Sequence, residues 1–199
     1  LRALGAGALA DPATRVRIEA EENPAEVLHA EALRVVYRLI FVLTTEDRDL
    51  LHAPDSTDTA RETYAEGYSL TRLALRARRR TSRDRHHDAW EAVKVLFRAL
   101  QKGESLLGLP ALGGLFREGL TPILDAATLP NRHFLDALFH LAWIRDGQAI
   151  ARINWRDMQT EELGSVYESL LELVPRLAEN HTLLDYAGGA ETRGNQRKT

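Results

Sequence analysis

The sequence predicts a mainly α fold: a multi-helix bundle with one glycine-rich loop and, at one point, the signal for a short β-hairpin. Three observations carry this. Apolar residues recur at the i, i+3, i+4, i+7 spacing of an amphipathic helix in several separate stretches. The stretches are separated by capping residues, prolines and glycines, which mark helix starts and stops. One segment, Leu106 to Asp125, gathers Gly108, Pro110, Gly113, Gly114, Gly119 and Pro122, which reads as an ordered loop with short turns.

In chain order, residues 1–23 are rich in Ala, Gly and Glu with weak periodicity and read as a truncated upstream linker. Asn23-Pro24 pairs an N-cap with a proline at the first helical position. A long helix follows from Pro24 to about Leu51, apolar nearly all round at its centre, as a central bundle helix must be. Pro54 and the Asp55-Ser56-Thr57-Asp58 run break it. A short helix from Thr59 to Glu66 ends at Gly67, and Ser69 caps the next one, about Leu70 to Arg80. There Leu70, Leu73, Ala74 and Ala77 form one apolar stripe. Asp84 to Lys102 carries Trp90, Val93, Leu96, Phe97 and Leu100 on one face and stops at Gly103. A further helix runs from Pro130 to about Ile144. Asp146-Gly147 is a hairpin turn signal, and Ile150 to Trp155 alternates as a short strand does. Thr160, followed by Glu161 and Glu162, opens a clean amphipathic helix that is expected to end at Pro175. His181 to Tyr186 reads as a short strand. The expected organisation is therefore a linker at 1–23, a helical spacer domain at 24–180 and a tail at 181–199.

With 199 residues, 44% apolar and 28% charged, the composition is that of a soluble globular domain that buries its own core. The chain has no cysteine, which excludes disulfides, thiolate zinc sites and cysteine nucleophiles and agrees with a cytoplasmic setting. It begins at Leu1 and its one methionine is Met158, so a fragment of a longer protein is expected. Nothing reads as a signal peptide, and the most apolar run, Val35 to Leu43, is interrupted by Arg38 and too short to span a membrane. No membrane partner is expected.

The chemistry-bearing motifs of common enzymes are missing from the sequence. There is no phosphate-binding glycine loop, no H-E-x-x-H and no G-x-S-x-G elbow. His86 and His87 are adjacent, so on a helix their rings diverge by about a third of a turn and do not share a metal easily. Glu91-Ala92-Val93-Lys94 has the wrong spacing for a nuclease motif and lies on a helix. No catalytic residue and no metal ligand is named.

The positive signal is electrostatic. Net charge is −3, yet Arg72 to His87 holds seven arginines and one aspartate, +6, leaving −9 for the rest. Arginine binds phosphate bidentately, and a duplex offers about one charge per 1.7 Å of axis. Arg72, Arg76, Arg79, Arg80 and Arg83 cluster on one side if the helix continues that far, and are the candidate DNA-backbone contacts. The other reading of the same residues is a solvated helix face paired with the acidic remainder.

The segment Ile153-Asn154-Trp155-Arg156-Asp157-Met158, with Glu161-Glu162-Leu163-Gly164-Ser165-Val166-Tyr167-Glu168-Ser169-Leu170-Leu171-Glu172, resembles the region just before the methyltransferase domain of large restriction–modification proteins, the Eco57I-like and BREX PglX-like adenine-specific DNA methyltransferases. Tyr37-Arg38-Leu39-Ile40-Phe41 and Leu109 to Phe116 resemble that family's helical region more weakly. The resemblance implies a parent that uses S-adenosylmethionine to methylate adenine N6 in double-stranded DNA, flipping the base to reach it. The family's Asn/Asp-Pro-Pro-Tyr/Phe and Phe-x-Gly motifs do not occur here, so this segment is expected to lack catalysis and to need no cofactor itself. Its expected part is a connector that contacts DNA weakly and non-specifically and docks the methyltransferase domain of the same chain through Leu163, Tyr167 and Leu170. The alternative is a protein–protein interaction module of a phage-defence system without DNA contact.

Overall fold

The structure is a computed structural model that describes residues 1–147, 149–178 and 182–187. It is mainly α, as the periodicity predicts, and has two small antiparallel hairpins where the sequence signals one. The helices are α1 (Arg2–Ala10), α2 (Pro12–Glu19), α3 (Pro24–Asp47), α4 (Asp58–Gly67), α5 (Leu70–Ala77), α6 (Asp88–Lys102), α7 (Pro122–Ala126), α8 (Asn131–Ala142) and α9 (Thr160–Leu171). Strands β1 (Trp143–Asp146) and β2 (Ala149–Arg152) form one hairpin; β3 (Val174–Ala178) and β4 (Leu183–Ala187) form the other.

Helix α3 is the axis of the core. Leu28, Ala32, Val35, Leu39, Val42 and Leu43 are fully buried, which is why its middle is apolar all round. It stops at Asp47 because Asp49 turns to φ 55° and the Leu50 N–H returns to the Thr45 carbonyl at 2.9 Å. Two ionic side chains of α3 are also buried, and both clamp the glycine-rich segment. Arg38 donates to the Leu115 carbonyl at 2.9 Å and to Thr121 Oγ1 at 2.8 Å. The Glu31 carboxylate accepts the N–H groups of Ile123 at 3.0 Å and Leu124 at 2.8 Å, so it serves as an anion at the start of α7. Burial pushes the Glu31 carboxyl above the usual carboxylate range, against the pull of those two donors. Glu31→Gln keeps the shape and loses the charge and one acceptor. We expect it to cost about 2 kcal/mol in urea denaturation at neutral pH, the size of a buried charged hydrogen bond.

Residues 1–23 are not a linker. They form α1 and α2, and Leu4, Leu9 and Ile18 are fully buried. Their weak periodicity has a steric cause: α1 makes its closest contacts through glycine. A Cβ at Gly5 would lie 2.6 Å from Leu184 Cβ, and one at Gly7 would lie 2.9 Å from His133 Cβ. The contact face is therefore small rather than conspicuously apolar, and α1 packs on both α8 and β4.

Other boundaries differ locally. Helix α6 begins at Asp88 rather than Asp84, because the Asp84 carboxylate is engaged by the His86 N–H at 2.9 Å and by Asn131. Helix α9 ends at Leu171, and Pro175 lies inside β3, a two-stranded ladder whose edges tolerate proline. Of the expected 181–199 tail, residues 183–187 form β4, with Leu184 and Tyr186 buried; 181 and 188–199 lie outside the described residues. The expected boundary between spacer and tail at residue 180 also lies outside the described residues.

Candidate nucleic-acid interface

Helix α5 presents the arginines. Its start is fixed twice: Ser69 Oγ accepts the Arg72 N–H at 3.3 Å, and the Glu46 carboxylate accepts those of Leu70 at 2.7 Å and Thr71 at 2.8 Å. Leu70, Leu73, Ala74 and Ala77 are buried against the core, so Arg72 and Leu75 face solvent. The helix does not continue to Arg80. Arg83 folds back and donates to the Ala77 carbonyl, from Nε at 3.2 Å and Nη2 at 3.1 Å. A cation on the last carbonyls complements the helix dipole and ends the helix there. Residues 78–87 then form a loop with one 3₁₀ turn at Arg80–Ser82.

The five arginines chosen from sequence separate into two groups. Arg83 is a structural pin: besides capping α5 it pairs with Asp136 at 2.7 Å, and its guanidinium lies 4.6 Å from the Phe139 ring centre. Arg76 is bound to both carboxylate oxygens of Asp88, one of them at 3.3 Å. These two follow the paired-face reading and are not free for phosphate. Arg72, Arg79 and Arg80 are exposed and, among the described residues, make no ion pair.

The loop that carries Arg79 and Arg80 is held by a polar knot centred on the buried Asn131. Asn131, fully buried at the start of α8, donates through Nδ2 to Asp84 and Asp88, both at 2.8 Å, and accepts the Ala89 N–H at 3.1 Å. The Arg132 N–H reaches the Asp84 carbonyl at 2.9 Å, and the Asn131 N–H reaches that of His86. The hydrogen bond from Arg76, backed by that from Asn131, holds the Asp88 carboxyl down to about 2, against the opposing effect of burial. The bond thus stabilises the loop above the usual carboxylate value of 3.8 and weakens as pH falls toward 2. We expect the backbone amide resonances of residues 78–87 to shift cooperatively between about pH 4 and 2, and to stay put from pH 5 to 7.

Three cations overlooked in sequence complete the surface. Arg78 and Arg85 are exposed and make no ion pair among the described residues. Arg78 lies over Trp143 at 5.3 Å, and Arg145 over Phe139 at 5.8 Å. Arg78 and Arg85 sit in the same arginine run, but a helical extrapolation places them off the chosen face; in a loop that constraint lapses. Arg145 lies 60 residues further on, on β1, and covers Phe139, the ring that Arg83 also contacts.

The docking candidates of α9 are partly engaged within the chain. Leu163 and Leu170 are half-buried against the core, and Tyr167 stacks on Tyr37 of α3 with ring centres 4.5 Å apart. Burial, with the neighbouring Tyr167, pushes the Tyr37 phenol up to about 12. Tyr167 nevertheless stays 46% exposed. Leu171 and Val174 remain exposed beside it, and α9 has no fully buried residue.

Among the described residues no group of three or more His, Asp or Glu side chains is placed to hold a metal, and no helix is long and apolar enough to cross a membrane. Comparison with protein-family models, with curated proteins and with solved structures found no match.

Proposed function

We propose that this chain is a non-catalytic helical module of an adenine-specific DNA-modifying protein, and that it grips the duplex backbone through the arginine loop. The observation that carries the DNA contact is a set of five exposed guanidinium groups that make no ion pair among the described residues: Arg72 on α5, and Arg78, Arg79, Arg80 and Arg85 on the pinned loop that follows it. In a chain whose net charge is −3, exposed cations gathered in one 14-residue stretch form a local positive field against an acidic background. Arg76 and Arg83 give up their own charge to Asp88 and Asp136, and in doing so hold the others in place. The methyltransferase setting rests on the resemblance alone, carried chiefly by residues 153–172 and more weakly by 37–41 and 109–116. In that setting the neighbouring domain would meet Leu171, at the end of α9, and Val174, at the start of β3.

The test is fluorescence anisotropy with a random-sequence labelled duplex. The reading expects binding at about 50 mM salt that is mostly lost by about 200 mM, as phosphate contact requires. Absence of binding at low salt would overturn it. That outcome would favour the interaction module, for which the exposed Leu171 and Val174 are the specific observation.

A further inference from the structure

A recess of about 190 Å³ lies between α6 and the glycine-rich segment. Five cations line it: Arg38 from α3, Lys94, Arg98 and Lys102 from α6, and Arg117 from the segment itself. Two of them are matched. Lys94 pairs with Glu91 at 2.7 Å, and Arg38 lies 3.8 Å from Asp125. Arg98, Lys102 and Arg117 are exposed, and among the described residues their side chains make no ion pair and no hydrogen bond. Glu118, also exposed, is the carboxylate at the recess that makes no ion pair among the described residues. Three free cations thus face one free carboxylate, in a chain that is acidic outside residues 72–87.

The cations are gathered against their own repulsion. Arg98 and Lys102 stand at i and i+4 on α6, where like charges are destabilising. Arg117 is brought to them by packing. Phe116 lies on Phe97 with ring centres 5.7 Å apart, and the Leu112 N–H reaches the Leu100 carbonyl at 2.6 Å. The buried Arg38 donates to the Leu115 carbonyl at 2.9 Å and to that of Arg117 at 3.5 Å. The segment is therefore fixed before any ligand arrives, and what the recess lacks is counter-charge. Lys102 also offsets the partial negative charge at the C-terminal end of α6, so Arg98 and Arg117 are the principal contacts.

We propose that this recess binds a small phosphate-class anion carrying two or more negative charges, held by the guanidinium groups of Arg98 and Arg117 with Lys102 at its edge. A guanidinium fork matches two phosphate oxygens at once, and a concave site with converging polar groups suits a small ligand. A duplex backbone meets open surfaces such as the arginine loop. This site is independent of that loop and of the DNA reading.

The experiment is isothermal titration calorimetry with inorganic pyrophosphate at low ionic strength. The parent chain is expected to bind it saturably. Arg98→Gln with Arg117→Gln is expected to weaken binding about 10-fold or more, the worth of a charged hydrogen bond. Both side chains are exposed, so the fold is retained. Glu118→Gln is expected to tighten binding about 3-fold, because it removes a like charge beside the anion. Arg72→Gln with Arg79→Gln and Arg80→Gln is expected to leave it unchanged. No saturable binding to the parent overturns the proposal, and this arm needs no variant to fold. Binding lost in the loop variant but kept in the Arg98 and Arg117 variant, or weakened by Glu118→Gln, overturns it too. Displacement of the pyrophosphate by a random-sequence duplex would reassign the recess to the DNA backbone.

Discussion

Asn131→Asp is expected to destabilise the fold by about 3–5 kcal/mol at neutral pH, although it changes a single atom group. The Asn131 side chain is fully buried and its Nδ2 donates at 2.8 Å to both Asp84 and Asp88. An aspartate there sets an acceptor against two acceptors and a third negative charge beside two. Arg76 is already committed to Asp88 and does not neutralise the addition. The three carboxylates raise one another's pKa, so the penalty is full at neutral pH and eases as acid protonates the introduced group. Urea denaturation of the variant at pH 7 and pH 5 measures this. A loss under about 1 kcal/mol at pH 7 would show that the knot does not hold the loop.

The second large effect is on binding. The triple variant Arg72→Glu, Arg79→Glu, Arg80→Glu is expected to weaken duplex binding by about 30-fold or more at low salt, through lost phosphate contacts and new repulsion. Its stability should stay within about 0.5 kcal/mol of the parent, because the three side chains are exposed and make no ion pair among the described residues. Arg83→Ala is the contrasting case. It removes the cap on α5, the Asp136 pair and the contact with Phe139, so it should lower stability before it lowers affinity. If Arg83→Ala and the triple variant act alike on both quantities, the division of the arginines into pins and free contacts is wrong.

Periodicity made the core helices legible. The stripes of α3, α5, α6 and α8 consist of apolar side chains, most of them large outside α5, and they supply much of the buried core. The linker expectation for 1–23 failed where large residues do not make the contact: α1 is held close by Gly5 against Leu184 and Gly7 against His133, which carry no hydrophobic signal. At the candidate interface, charge density was legible but its division was not. Arg76 and Arg83 are distinguished from Arg79 and Arg80 by Asp88 and by Asp136, a carboxylate 53 residues from Arg83 that only the packing of α8 beside α5 brings near. The end of α5 at Ala77 was hidden for the same reason, since its cap comes from six residues ahead in a loop. On α9 the spacing marked an apolar face but not what meets it. Its partner is α3 of the same chain, where Tyr37 meets Tyr167 across 130 residues.

The most direct test of the backbone-gripping role is the salt dependence of duplex affinity, measured by anisotropy for the parent chain and the triple variant on the same random-sequence DNA. Each phosphate neutralised contributes about 0.9 to the slope of log K against log salt. With five free arginines the parent slope should reach at most about −4.5, and the triple variant should lose between two and three of that, leaving a slope near −2. A parent slope near zero, or the same slope in both proteins, would contradict the assignment of phosphate contact to Arg72, Arg79 and Arg80.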